Sequence, residues 1–301
     1  MTSQFQLQWI VSEKNAGMLI KDFLKEEAIS KTALTDIKFN GGFIRVNNQD
    51  VTVRYRLMEG EELTVIFPME FPSEGLQGED FPIEIIYEDE HVLVVNKPSG
   101  MNTIPSREHP TGSLANALVG YYNKINLKAT THIVTRLDRD TSGIVLIAKH
   151  RHIHHLLSKQ QQNGFVRRMY EAFAGGILED DSGIIEVPIG RKTDSIIERE
   201  VRSDGQFACT HYSVIERKKA FTYLRLRLET GRTHQIRVHM SYLGHPLLGD
   251  DLYGGSTALI KRQALHCKEI KFIHPINGQE MNFYVPLPVD MQAIVKAEPL
   301  S

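Results

Sequence analysis

The spacing of apolar positions divides the chain into two stretches. Around Met18–Leu24 a helical pattern places Leu19, Phe23 and Leu24 on one face, and a second helix is predicted from Ser30, a residue suited to cap a helix start, through Leu34 and Ile37. Asn40-Gly41-Gly42 supplies the stop. Phe43–Val46, Val51–Tyr55 and Leu63–Phe67, separated by turns at Asn47-Asn48 and Glu59-Gly60, then read as strands of a small sheet. Residues 68–80 are rich in Pro, Glu, Gly and Ser, lack periodic apolar positions and are expected to be a linker. Beyond it strands dominate: Ile83–Tyr87, His91–Val95, Gly143–Ala148, Tyr170–Gly175, Thr222–Leu228 and Met281–Val285, with helices at Leu114–Tyr122, His152–Gln162 and His234–Leu243. Strands and helices do not alternate regularly, so an α+β fold is predicted. It comprises a small α+β domain over residues 1–67, a mostly antiparallel mixed sheet with flanking helices over 81–290, and a tail over 291–301.

A chain of 301 residues with 41% hydrophobic content can bury two cores. No apolar run approaches the roughly 20 residues that span a bilayer, and Met1-Thr-Ser-Gln-Phe-Gln lacks the layout of a secretory signal, so a cytoplasmic protein with no membrane partner is expected. Cys209 and Cys267 have no paired-ligand spacing, which argues against a disulfide framework or a cysteine zinc site. The net charge of −2 carries no global sign of a polyanion partner. Residues 131–240, however, hold 18 Lys+Arg against 13 Asp+Glu and eight of the 13 histidines, a local excess that suits one.

That basic region opens with Arg136-Leu137-Asp138-Arg139-Asp140-Thr141-Ser142-Gly143, two acids packed among two arginines at a turn. A guanidinium favours the ionised form of a carboxylate and can grip it through two N–H groups. Taken alone, these residues fit an acid that satisfies turn amides better than a catalytic one. A glycosidase pair is excluded, because its carboxylates must face each other across a bond and these two are neighbours in one turn. His150 and His154 share a helical face but have no Glu between them, and His234 and His239 are out of register for a shared ion, so no metal is expected.

The Asp138 stretch resembles the signature of the RluA group of RNA pseudouridine synthases. The similarity continues through Val95-Asn96-Lys97-Pro98-Ser99-Gly100, Val166-Arg167-Arg168-Met169-Tyr170-Glu171-Ala172, Glu229-Thr230-Gly231-Arg232-Thr233-His234-Gln235-Ile236-Arg237 and Gly244-His245-Pro246-Leu247-Leu248-Gly249-Asp250. One position departs from the family: the residue before Arg-Leu-Asp, usually His, is Thr135. The resemblance implies an isomerase that converts uridine in structured RNA to pseudouridine without a cofactor. Asp138 would act at the ribose, either by attacking the anomeric carbon or by removing the neighbouring sugar proton. Arg136 would fill the space left by the flipped base, and Tyr170 would stack on that base and is a candidate to move the carbon-5 proton. Arg237 is the expected partner of Asp138, with Arg232 second. Arg139, Arg232, His234 and Gln235 are expected at the RNA.

The layout of residues 10–67, with Arg45-Val46-Asn47 after the glycines and Gly60-Glu61 before the last strand, resembles a small RNA-binding module named after a small-subunit ribosomal protein. Lys31 and Lys38 are the basic residues of its second helix. A monomer acting on large-subunit ribosomal RNA is the favoured expectation, with transfer RNA as another substrate. The alternative is a non-catalytic RNA-binding or ribosome-assembly protein on the same fold, against which the presence of Asp138, Tyr170 and both arginines argues.

Overall fold

The computed structural model describes residues 4–73 and 75–297. Its amino-terminal unit runs β1 (Gln6–Ile10), α1 (Ile20–Glu26), α2 (Lys31–Phe39), β2 (Phe43–Val46), β3 (Gln49–Asp50) and β4 (Glu62–Ile66), with an antiparallel sheet ordered β1-β4-β2-β3. Ser30 caps α2 by accepting from the Ala33 amide at 3.1 Å. Ile20, Phe23, Leu24 and Ile37 turn inward onto Ile44, Leu63 and Val65. The segment Val51–Tyr55 is not a strand. Its Val53 and Tyr55 carbonyls accept from the amides of Lys21 and Ile20, 3.0 Å each, so it supplies the partners that the first turn of α1 lacks within the helix.

The larger unit contains β5 (Glu84–Glu88), β6 (Val92–Lys97), α3 (Leu114–Lys124), β7 (His132–Ile133), β8 (Ser142–Ala148), α4 (Arg151–Gln162), β9 (Arg167–Gly175), β10 (Ser182–Glu186), β11 (Ile189–Arg191) and β12 (Arg199–Val201). It continues with β13 (Cys209–Arg217), β14 (Phe221–Leu228), α5 (Gln235–Tyr242), β15 (Leu265–Ile273), β16 (Glu280–Tyr284) and α6 (Val289–Ala297). Its main sheet is ordered β10-β13-β14-β9-β15-β8-β6-β5, with β16 on β15 and β7 on β8. Every pairing is antiparallel except β15 with β8, which touch in parallel at only two residue pairs, His266 with Ser142 and Cys267 with Gly143. Strand β8 is buried along its whole length, which accounts for the unbroken apolar run Ile144–Ala148. Among the described residues no helix is long and apolar enough to cross a membrane.

The expected tail is partly structured. Residues 289–297 form α6, and Met291 and Ile294 bury against Phe173, Phe221 and Leu248, an apolar pair three apart that seals one end of the domain. Residues 298–301 lie outside the described residues. The linker also makes contacts: Glu70 is buried between His132 and His150, and Phe5 belongs to the margins of both cores.

Candidate active site

The site forms at the seam where β15 and β8 meet. One edge of β15 is occupied by β9; the other passes from β8 to β16 after Cys267. Gly143 makes this crossing possible. Its φ is +116°, and a Cβ there would stand 2.2 Å from the Cys267 carbonyl oxygen, so any side chain would push the two strands apart. The loop ahead of β8 therefore emerges at the centre of the sheet, and Asp138 with it.

That loop is held by its own peptide groups. The Thr103 hydroxyl donates to the Leu137 carbonyl at 2.7 Å, Arg262 donates to the Asp140 carbonyl at 3.2 Å, and the Thr135 hydroxyl accepts from the Leu146 amide at 3.0 Å. Lys97, with no exposed surface, donates to the carbonyls of Pro98 at 2.8 Å, Met101 at 2.7 Å and Arg139 at 3.0 Å. Burial drives its pKa down to about 7, against the opposing pull of Asp138 and Asp140. The loop that carries Asp138 is thus fixed at several points along its backbone.

The Asp138 side chain remains 26% exposed, and its Oδ2 lies 3.4 Å from Arg237 Nη1 and 4.0 Å from His234 Nε2. Arg237 comes from α5 and is buried. Its Nε and Nη2 donate to the two oxygens of Asp250, each at 2.7 Å, in a two-point pair, and its guanidinium lies over the Tyr253 ring. Burial opposes the charge on Arg237, but the bonds and charge of Asp250, helped by Asp138, more than reverse that and raise its pKa. His234 has φ +58°, left-handed for a non-glycine residue, and its Nδ1 is 2.8 Å from the Tyr253 hydroxyl. Burial lowers its pKa against the attraction of Asp138. Tyr170, on β9 beside Cys267, is 4% exposed at the floor of the pocket with the Arg168 guanidinium 5.8 Å from its ring. Burial raises its pKa strongly, so the hydroxyl stays protonated at neutral pH.

A cleft of about 860 Å³ opens above Asp138 between residues 102–109 and Ile196-Ile197, the latter between β11 and β12, and a hollow of about 440 Å³ adjoins it beside Arg199 and Arg232. Arg136 is exposed and lines both spaces as well as the pocket floor. Arg139 is exposed and donates to the Gly100 carbonyl at 3.4 Å. The structure separates the two candidate partners of Asp138. Arg237 lies 3.4 Å from it, whereas Arg232, on the wall of the same cleft, donates to the Phe207 carbonyl at 2.9 Å.

Two of the expected RNA contacts also have partners within the protein. Gln235 is buried and its amide is fully engaged, donating to the Cys209 carbonyl and the Thr210 hydroxyl and accepting from the Arg232 amide and the Thr230 hydroxyl, so it shapes the loop. His234 faces the carboxylate and Tyr253. Lys31 and Lys38 are exposed on α2 and line none of these spaces. Asp250 and Lys97 also shape the site, and both lie inside the stretches that carry the resemblance. What no linear pattern supplied was that Asp250 meets Arg237 and that Lys97 reaches under Arg139.

A family described as RNA pseudouridylate synthase matches residues 91–242. An uncharacterized RNA pseudouridine synthase of Bacillus subtilis (strain 168) is 54% identical over 281 residues, covering 93% of this chain and 99% of that protein. The ribosomal large subunit pseudouridine synthase D of Vibrio parahaemolyticus is 38% identical over 314 residues, covering 99% and 96%. Among solved structures, human RNA pseudouridylate synthase domain containing 1 superposes with a TM-score of 0.58 at 22% identity, over 73% of this chain and 96% of that one, a likeness of fold.

Proposed function

We propose, from the premise that this chain belongs to the RNA pseudouridylate synthase family and is an isomerase that acts on RNA, that Asp138 is its catalytic carboxylate and large-subunit ribosomal RNA its substrate. The observation that carries the assignment is the partly exposed Asp138, set against a buried arginine that a second carboxylate already anchors. Asp250 fixes Arg237, and Arg237 contacts Asp138 through one nitrogen at 3.4 Å, which orients the carboxylate and leaves its other oxygen open to the cleft.

In this reading uridine leaves its stack, Arg136 at the lip takes its place, and the base settles on Tyr170. Asp138 then acts on the ribose while the glycosidic bond to nitrogen breaks; the base turns, and carbon 5 forms the new bond to the sugar and loses its proton to solvent water in the open cleft. Burial keeps the Tyr170 hydroxyl protonated, so its ring can stack on the base while the hydroxyl donates. The large-subunit substrate is supported by the full-length similarity to the Vibrio enzyme named for that RNA. A cytoplasmic location accords with it. The residue 1–67 unit is proposed as a separate domain that adds contacts to RNA through its exposed face, including Lys31 and Lys38.

Tritium release from RNA labelled at carbon 5 of uridine tests the catalytic assignment. Asp138→Asn keeps the size and loses the charge, and should abolish release while RNA binding persists, because Lys and Arg contacts to phosphate supply most of the affinity. Asp140→Asn, whose side chain is on the solvent side of the loop, should retain activity. Substantial release by Asp138→Asn would refute the role.

A further inference from the structure

Away from the cleft, the ends of β13 and β14 carry three side chains that the uridine chemistry does not use. Cys209 and His211, two apart on β13, project from one face of the sheet, and Glu229, whose amide donates to the Cys209 carbonyl at 3.2 Å, stands beside them at the end of β14. Their ligand atoms, one thiol sulfur, one imidazole nitrogen and one carboxylate oxygen, all lie within 4.8 Å of one another.

We propose that Cys209, His211 and Glu229 form a binding site for a thiophilic divalent cation of the zinc class. The geometry favours a shared ion over a proton relay. In a cysteine–histidine–acid relay the two ring nitrogens serve different partners, whereas here one nitrogen, Nε2, faces both: it is 3.7 Å from the Cys209 sulfur and 2.6 Å from the Glu229 oxygen. Zinc with ligands at ~2.3 Å for sulfur and ~2.0 Å for nitrogen, at a tetrahedral angle, separates the two by roughly 3.6 Å. The Cys209–His211 pair is therefore spaced for the ion. The Glu229 oxygen is closer than such a ligand would stand, and Glu229 is the most exposed of the three, so it can give way.

The surrounding charges also matter. Arg227 approaches Glu229 to 3.7 Å and competes for it, while Glu186, the strand partner of Cys209, adds a negative charge near the thiol. Without the ion, burial first and then these carboxylates raise the thiol pKa, so binding must expel the thiol proton to solvent and leave Nε2 of His211 without a hydrogen. The fourth position would fall to water.

The site would brace the loop that carries Arg232 and His234. Cys209 is already tied to that loop, its amide donating to the Thr230 hydroxyl and its carbonyl accepting from Gln235, both at 3.0 Å. An ion joining Cys209 to Glu229 would close the base of the same loop and raise the melting temperature of the full-length protein, since it binds only where the two strand ends are together.

Anaerobic titration of the full chain with Co²⁺, read by absorption, tests this. One equivalent should produce a thiolate-to-cobalt charge-transfer band together with the intense visible bands of a tetrahedral site, and Zn²⁺ should displace both. Cys209→Ser should abolish the charge-transfer band, and His211→Gln should weaken binding of either metal by at least ~10-fold, with circular dichroism confirming that each variant is folded. His211 is partly exposed, so that variant still decides the matter if Cys209→Ser does not fold. Absence of a thiolate band in the parent, or a band undiminished in either variant, would overturn the site.

Discussion

Replacing Asp250 by Asn probes the arrangement that sets Asp138 in place. In the folded protein Asp250 is 1% exposed and grips the buried Arg237 with two bonds of 2.7 Å, whereas the contact from Arg237 to Asp138 is single and longer, 3.4 Å. Removing one partner of a buried ion pair leaves the other charge uncompensated and costs ~3–5 kcal/mol. Asp138 remains within reach of the freed guanidinium, which places the loss at the lower end, about 3 kcal/mol. For a domain of roughly two hundred residues, at roughly 2–4 °C per kcal/mol, the melting midpoint should fall by roughly 10 °C. The guanidinium should also swing towards Asp138 and occupy the oxygen that faces the cleft, slowing single-turnover tritium release by roughly 100-fold, as displacements near 1 Å do. Denaturant unfolding and single-turnover kinetics of Asp250→Asn, beside the exposed neighbour Asp251→Asn as control, measure both. An unfolding free energy within about 0.5 kcal/mol of the parent together with an unchanged rate would show that Arg237 does not depend on Asp250, and the account of how Asp138 is oriented would fail.

Three other outcomes are expected. Tyr170→Phe retains the ring and should bind RNA nearly as the parent does, with slower turnover, while Tyr170→Ala opens a cavity at the pocket floor and costs ~3–5 kcal/mol; parental single-turnover rates in both would reduce Tyr170 to packing. Removing residues 1–75 should leave a folded, active larger domain with weaker RNA affinity, because the two cores are separate, although it also strips Glu70 from His132 and His150; insolubility of the truncated chain would show that they are one folding unit. For Glu70, burial alone would raise the pKa, but His132 and His150 hold it well below its ordinary value of 4.5. A depressed carboxylate stabilises the fold above its unfolded pKa, so the stability difference between the parent and Glu70→Gln should be full near neutrality and shrink as pH falls below 4.5. A difference that persists undiminished to about pH 3 would mean that the histidines do not act through the charge of Glu70.

Local rules were legible in the sequence where local chemistry decides structure. Ser30 caps α2 as its hydroxyl predicts, and Asn40-Gly41-Gly42 ends that helix because Gly41 takes a φ of +91° and a Cβ on Gly42 would collide with the Ile66 carbonyl. The run 143–148 is a buried central strand, and Leu114–Tyr122 and His152–Gln162 fall within helices. Val51–Tyr55 failed because its alternation fits a strand, whereas its carbonyls accept from the first amides of α1, more than thirty residues earlier in the chain. For Gln235 the sequence shows only a polar residue beside arginines; that its amide is buried and bonded to the Cys209 carbonyl depends on the fold.

By itself the sequence determined the family, the α+β class, the helix caps and the loop on which Asp138 sits, since each depends on residues close together in the chain or on a quoted motif. Tertiary structure decided which charges meet. Asp138 and Arg237 are 99 residues apart in the chain, and Asp250 outcompetes Asp138 for Arg237 because it is buried and aligned for two bonds. Lys97 reaches a carbonyl 42 residues away, and Cys209, His211 and Glu229 converge only because β13 and β14 pair with Thr210 opposite Leu228. Ion-pair strength depends on distance, alignment and burial, which a fold fixes and residue spacing along the chain does not.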